Sequence, residues 1–309
     1  MAWDTSWYVS LAHSLSFEST FFPGYPFMIR LLAELVRNYW LAAFMIAFAL
    51  GLASLPVFQA IAEAYMDRAE ALGSTIIMSF FPYIFLFTTV AYSEALFLLA
   101  VLSSWYLHLK NKSVPAVFCS VLAALTKTYG VLIILPMFLD SVTKRRWREA
   151  LLTSVPVLVV VIIILPYTHK DLLTLLTLEL NTATWAVSRE TLGNFWFRDY
   201  IVPVFTSSRP MSFFHFFHAY ALAFIALAGY LAINSVKVDW RLGIYSIAMF
   251  AVVLMFGYTN GLVRYTSFIF PIWLSFKTKN VVALALAAIL FYVHSLVLWN
   301  QFLWAPYPM

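Results

Sequence analysis

Two carboxylates placed where apolar helices meet one face, and four cations on that same face, are the residues of this chain best suited to chemistry. Asp4 lies in the polar and aromatic opening Trp3-Asp4-Thr5-Ser6-Trp7-Tyr8. Glu94 lies in Ala91-Tyr92-Ser93-Glu94-Ala95-Leu96-Phe97, at the start of an apolar helix. A carboxylate in a partly desolvated position can take a proton from a hydroxyl and so act as a general base. The plainer readings are a solvated loop acid for Asp4, and capping with dipole compensation for Glu94. Lys127, Arg189, Arg198 and Arg264 supply positive charge suited to a phosphate, to which arginine offers a bidentate fork and lysine a point charge. Their competing role is to snorkel to lipid headgroups. Lys127 and Arg264 stand out because they sit at breaks inside apolar sequence.

Other candidates are weaker. Trp3, Trp7, Tyr8, Phe21, Phe22 and Tyr25 suit an interfacial aromatic belt and equally the face of a sugar ring. Pro23 and Pro26 stiffen the entry to residues 28–37, read as a short helix lying at the interface. His215 and His218 form an H-x-x-H pair that could share a helix face. Without a third ligand they read as aromatic filling, so no metal site is expected. The single cysteine, Cys119, excludes an intrachain disulfide and a cysteine-based metal site. No Walker loop, dinucleotide fingerprint or nucleophile elbow occurs, and no soluble domain could hold a nucleotide sugar. A substrate must therefore arrive through the membrane, and no cofactor is implied.

The elements that position these residues are membrane helices. The 309 residues are 63% hydrophobic and 11% charged, with a mean hydropathy of +0.86, far beyond what a soluble domain covers with polar surface. The formal charge of +5 comes from 19 basic and 14 acidic residues. The basic residues fall in short clusters between apolar runs, as topology signals do, which argues against a nucleic-acid partner. No cleavable signal peptide is visible. With about 20 apolar residues needed to cross about 30 Å of hydrocarbon, helices are expected near 40–62, 72–90, 93–109, 151–168, 212–234, 242–258, 262–276 and 281–303. Residues 114–139, broken at Lys127-Thr128-Tyr129-Gly130, read as a short helical hairpin with arms 114–125 and 131–139. That reading alone puts Arg68, Lys110, Lys112, the basic run 144–148, Lys237, Arg241, Lys277 and Lys279 on one cytoplasmic face. The expectation is a single all-α transmembrane domain over residues 1–309, with about nine or ten membrane helices. Its first external loop would cover residues 1–37 and a larger one residues 169–210.

Trp3-Asp4-x-x-Trp7-Tyr8 followed by Phe21-Phe22-Pro23-x-Tyr25-Pro26 resembles the first external loop of the second GPI mannosyltransferase (PIG-V-like) family, within the GT-C superfamily of polytopic glycosyltransferases. The similarity continues through Phe81-Pro82, Tyr92-Ser93-Glu94-Ala95-Leu96-Phe97 and Ala123-Ala124-Leu125-Thr126-Lys127-x-x-Gly130, where family members often have Thr-Arg. It ends at Arg264-Tyr265 and Phe270-Pro271. The resemblance implies an inverting transferase in the cell membrane, active on the non-cytoplasmic side. It would move mannose from a polyprenyl- or dolichyl-phosphate donor to a glycolipid or lipid-linked glycan acceptor. Asp4 would be the general base, Glu94 would support it or orient sugar hydroxyls, and Lys127 and Arg264, with Arg189 or Arg198, would hold the phosphate. Trp3, Trp7, Tyr8, Tyr25, Tyr92 and Tyr265 would line the sugar and acceptor. The small size suggests a prokaryotic, archaeal member. Family members carry a membrane helix ahead of the Trp-Asp loop, where this sequence begins, so the resemblance implies either a start assigned too late or a lost helix that leaves Asp4 on a free terminus. Two other classes fit many spans: a transporter or lipid flippase, and a non-catalytic membrane subunit with a protein partner.

Overall fold

The computed structural model describes residues 4–14, 21–164, 213–255 and 259–304, and every regular element among them is helical. In chain order these are α1 (Thr5–Ser14), α2 (Gly24–Val36), α3 (Tyr39–Ala62), α4 (Arg68–Phe80), α5 (Pro82–Thr89), α6 (Glu94–Leu109), α7 (Ser113–Thr126), α8 (Ile134–Thr143), α9 (Trp147–Leu152), α10 (Val155–Val159), α11 (Phe213–Val238), α12 (Trp240–Met255), α13 (Thr259–Ser267) and α14 (Val281–Trp304). The external loop expected over 169–210 lies outside the described residues.

Local chemistry sets most boundaries. The Asn38 side chain accepts from the Leu41 amide at 3.0 Å and starts α3, and Asp67 does the same for Ala69 and Glu70 at 3.0 and 3.1 Å, starting α4. Between them, α2 ends at Arg37 in the left-handed conformation, with φ 55°. Helix α2 carries two apolar stripes at four-residue spacing. Tyr25, Ile29 and Ala33 are buried, whereas Phe27, Leu31 and Leu35 are exposed. One stripe packs on the bundle and the other is left for lipid.

Among the described residues three helices are long and apolar enough to cross a membrane: Tyr39–Ala62, Tyr220–Val238 and Val281–Asn300. A fourth crossing is available if α4 and α5 form one broken span, but they meet at 67°. The single helix expected over 72–90 is thus corrected to two. Pro82 has no amide to donate, and it drives Phe81 out of the helical region to φ −57°, ψ 127°. The helix expected over 262–276 also divides, into α13 and a 3-10 turn, Phe270–Ser275, that opens with Pro271. The Trp273 indole N–H donates to the Ser267 carbonyl at 2.7 Å, satisfying an acceptor that the helix end releases. Residues expected as one helix from 151 become α10, with Pro156, and a π turn, Val160–Ile164, after α9; residues 165–168 are outside the described set. The length of α6, 16 residues, rises only about 24 Å. Among the described residues three helices, or four crossings with the bent pair, meet the length and composition test, and α6, α7, α8 and α12 are apolar but shorter.

Helix α6 is the buried axis, packed on α3 and α7. Beside it the segment after α7 doubles back. Ser104 Oγ touches both arms, donating to the Ala116 carbonyl at 3.0 Å and lying 3.1 Å from Met137 Sδ. Arg146, past the end of α8, donates to Asn111 Oδ1, before α7, at 2.8 Å. The reversal requires Gly130, because a Cβ there would sit 2.2 Å from the Ala123 carbonyl oxygen. The polar residues therefore gather at the two ends of α6: Glu94 with Lys127 at one, and the loops around Lys110, Arg146 and Arg241 at the other.

Candidate active site

The site is built from four segments that meet at the first residue of α6. Asp4, just before α1, is tethered through its backbone N–H, which donates to the Tyr92 phenol oxygen at 3.0 Å. One turn into α1, the Tyr8 hydroxyl shares a 2.8 Å hydrogen bond with Ser93 Oγ. These two bonds fix the start of α1 against the loop before α6. Lys127 follows α7 in an extended conformation, φ −150° and ψ 140°, so the chain leaves the helix as the lysine side chain enters the site. Arg264 comes from the last turn of α13.

Glu94 is 1% exposed and draws the two cations together. Its Oε1 lies 3.2 Å from Lys127 Nζ and 3.3 Å from Arg264 Nε. Arg264 Nη1 then reaches to 3.9 Å from Asp4 Oδ2. Aromatic faces complete the enclosure. The Arg264 guanidinium sits over Tyr265, Phe87 and Tyr92 at 4.5, 4.9 and 5.6 Å, and Lys127 Nζ over Tyr265 and Tyr129 at 5.5 and 5.8 Å. Such desolvated cation–π contacts hold charge where no water would.

The hydrogen-bonding capacity of this enclosure is not used up. Both Glu94 carboxylate oxygens, Arg264 Nε and Thr5 Oγ1 are buried without a partner in hydrogen-bond geometry. Glu94 is held by charge at close range, not by directed bonds, so its oxygens and the guanidinium edge remain able to receive polar groups of a ligand. Removal from water pushes the Asp4 carboxyl above its ordinary 3.8; Arg264 and Lys127 pull it back and Glu94 adds to the rise. The 37% exposure of its side chain moderates that shift and leaves the carboxyl reachable. A raised but accessible carboxylate, a buried anion and two cations are the parts needed to accept a proton and to stabilise a departing anion.

Of the residues expected to act here, Asp4, Glu94, Lys127, Arg264, Tyr8, Tyr92 and Tyr265 come together. Tyr25 lies one layer below: it is fully buried, donates its hydroxyl to the Ala43 carbonyl at 2.8 Å and stands edge-on to Tyr8 at 5.2 Å. Trp7 is 60% exposed. Trp3, Arg189 and Arg198 lie outside the described residues, as do the side chains of His215 and His218. Among the described residues no three His, Cys, Asp or Glu side chains converge as metal ligands would. Sequence reasoning missed Thr5, Phe87, Ser93 and Tyr129. For Tyr129 a signal existed, since it stands two residues after Lys127 in the same break.

A second polar centre, at the far end of α6, was missed altogether. Asp140 is contacted by His108 Nε2 at 2.9 Å, Lys144 Nζ at 2.9 Å, Arg146 Nη2 at 2.6 Å and by Arg241. Arg241 also pairs with Asp239 at 2.5 Å, and Asp239 accepts from Tyr65 at 3.2 Å. The network ties the turn after α3 to α6, α8 and α12. Its signal was one aspartate inside the apolar run before a basic cluster. No protein-family model, no curated protein and no solved structure matches the chain.

Proposed function

We propose that the chain is a membrane-embedded glycosyltransferase of the GT-C kind, moving mannose from a polyprenyl- or dolichyl-phosphate donor to a glycolipid or lipid-linked glycan acceptor. The observation that carries this reading is the convergence of Asp4, Glu94, Lys127 and Arg264 from four separate segments on one buried, aromatic-lined point. In the proposed reaction Asp4 takes the proton of the acceptor hydroxyl as its oxygen attacks the anomeric carbon. The bond from that carbon to the donor phosphate breaks, and its electron pair leaves with the phosphate. Lys127 and Arg264 meet the developing charge, in the manner of preorganised electrostatic catalysis. Glu94 holds both cations in place before the donor arrives. Attack opposite the leaving phosphate inverts the centre.

The same reading takes the shorter helices α6, α7, α8 and α12 as further membrane elements of a polytopic bundle, and the Asp4 end as non-cytoplasmic. The basic end around Arg145 and Lys277 then follows the positive-inside pattern. A transporter draws support from the bent pair α4–α5, since broken helices line transport paths. Against it, α6, the buried axis, is apolar between its ends except for Ser103 and Ser104 and carries no charged group along that stretch. Proteoliposomes holding the full chain separate the two readings. Given mannose-labelled polyprenyl phosphate and a lipid extract as acceptor, they are expected to move label into a new lipid. Movement of intact donor across the bilayer without transfer would overturn the enzyme reading.

A further inference from the structure

We propose that the two loops at the far end of α6 form a binding site for the headgroup of an anionic phospholipid. In Lys144-Arg145-Arg146-Trp147-Arg148 the cations divide. Lys144 and Arg146 are committed to Asp140, at 2.9 and 2.6 Å. Arg145 and Arg148 are exposed and have no acidic partner among the described residues. Lys112, exposed and equally unpartnered, is brought beside them by the 2.8 Å bond from Arg146 to Asn111. Both loops turn through a left-handed residue, Asn111 at φ 57° and Arg145 at φ 56°, a conformation uncommon for arginine. Glu149, on the same segment, is taken by Arg146 at 3.0 Å. Three exposed cations thus stand on two loops tied together by Arg146, without an acidic partner among the described residues.

Apolar side chains continue from these cations in the direction an acyl chain would take. Trp147 and Leu151 share one face of α9, and Val114 and Phe118 one face of α7; all four are strongly exposed. Cations beside an exposed tryptophan at the margin of apolar helix surface are what a phosphate headgroup and its chains require together. A zwitterionic lipid carries its own compensating cation, so the unpartnered charge selects a net-negative headgroup. This inference does not depend on the glycosyltransferase reading.

The full chain, purified in neutral detergent, would be titrated with phosphatidylglycerol or phosphatidylcholine and the retained lipid counted by native mass spectrometry. Phosphatidylglycerol should be preferred, and each cation removed should weaken its retention roughly fivefold. Lys112→Gln, Arg145→Gln and Arg148→Gln together should abolish the preference, whereas Lys277→Gln, an exposed cation on another loop, should leave it intact. Trp147→Ala should lower retention of both lipids. Equal retention of the two lipids by the unaltered chain, an undiminished preference in the triple variant, or an equal loss in Lys277→Gln would overturn the proposal. Unchanged helical circular dichroism separates loss of the site from loss of fold.

Discussion

Glu94 governs the electrostatics of the candidate site, because two cations that would repel each other share its Oε1. Truncating one member of a buried charge cluster leaves the others uncompensated, typically at about 3–5 kcal/mol. Glu94→Ala should therefore lower the thermal midpoint strongly and Glu94→Gln less so, as measured by thermal unfolding in detergent. Asp4 leads to a pH prediction. Its carboxyl is raised by removal from water, with Glu94 adding and Arg264 and Lys127 opposing. A base must be ionised, so transfer should fall as pH drops through a value above the ordinary 3.8. In Arg264→Gln the residual rate should lose its acid limb at still higher pH, because the main lowering charge is gone. A limb unmoved by that substitution would contradict the assignment. At this scale the sequence was informative about charge: Asp4, Glu94, Lys127 and Arg264 were each conspicuous as polar residues breaking apolar runs. Their distances were not legible, nor was the role of Tyr92 as acceptor for the Asp4 amide, since hydropathy carries no information about partners distant along the chain.

Among the elements, the reversal between α7 and α8 delivers Lys127, and it turns on Gly130. A Cβ there would meet the Ala123 carbonyl oxygen at 2.2 Å, a backbone atom that cannot rotate away. Gly130→Ala should destabilise the protein by about 1–3 kcal/mol and displace Lys127, with loss of transfer activity exceeding the loss of fold. The broken pattern at Lys127-Thr128-Tyr129-Gly130 made this turn visible beforehand. The breaks at Phe81 and between Ser267 and Phe270 were overlooked for a physical reason: an apolar run reports burial, whereas Pro82 and Pro271 alter direction without changing polarity. The same blindness lengthened 72–90 and 262–276 into single helices. At the other end of α6, Asp140 is ringed by His108, Lys144, Arg146 and Arg241, so Asp140→Asn should lower the thermal midpoint, because those groups lose the anion they share.

For the whole molecule, the all-helical class and membrane character followed directly from composition, because so few charged residues could not coat a soluble domain of this size. Hydropathy cannot distinguish a half-span from a crossing, and several apolar helices among the described residues are shorter than a span. Orientation is open to a simple check. Asn111-Lys112-Ser113 is a glycosylation sequon on the basic end, which the proposal places in the cytoplasm. Expression in a eukaryotic host should leave Asn111 unmodified, and a glycan there would reverse the topology and put Asp4 on the wrong side for an external donor. The central claim is that the carboxylate of Asp4 removes a proton during sugar transfer. Its most direct test is the rate of mannose transfer from labelled polyprenyl phosphate by Asp4→Asn beside the unaltered chain. A fall of about 10²–10⁴-fold, with fold and donor binding kept, is the predicted result; transfer at the unaltered rate would contradict the account.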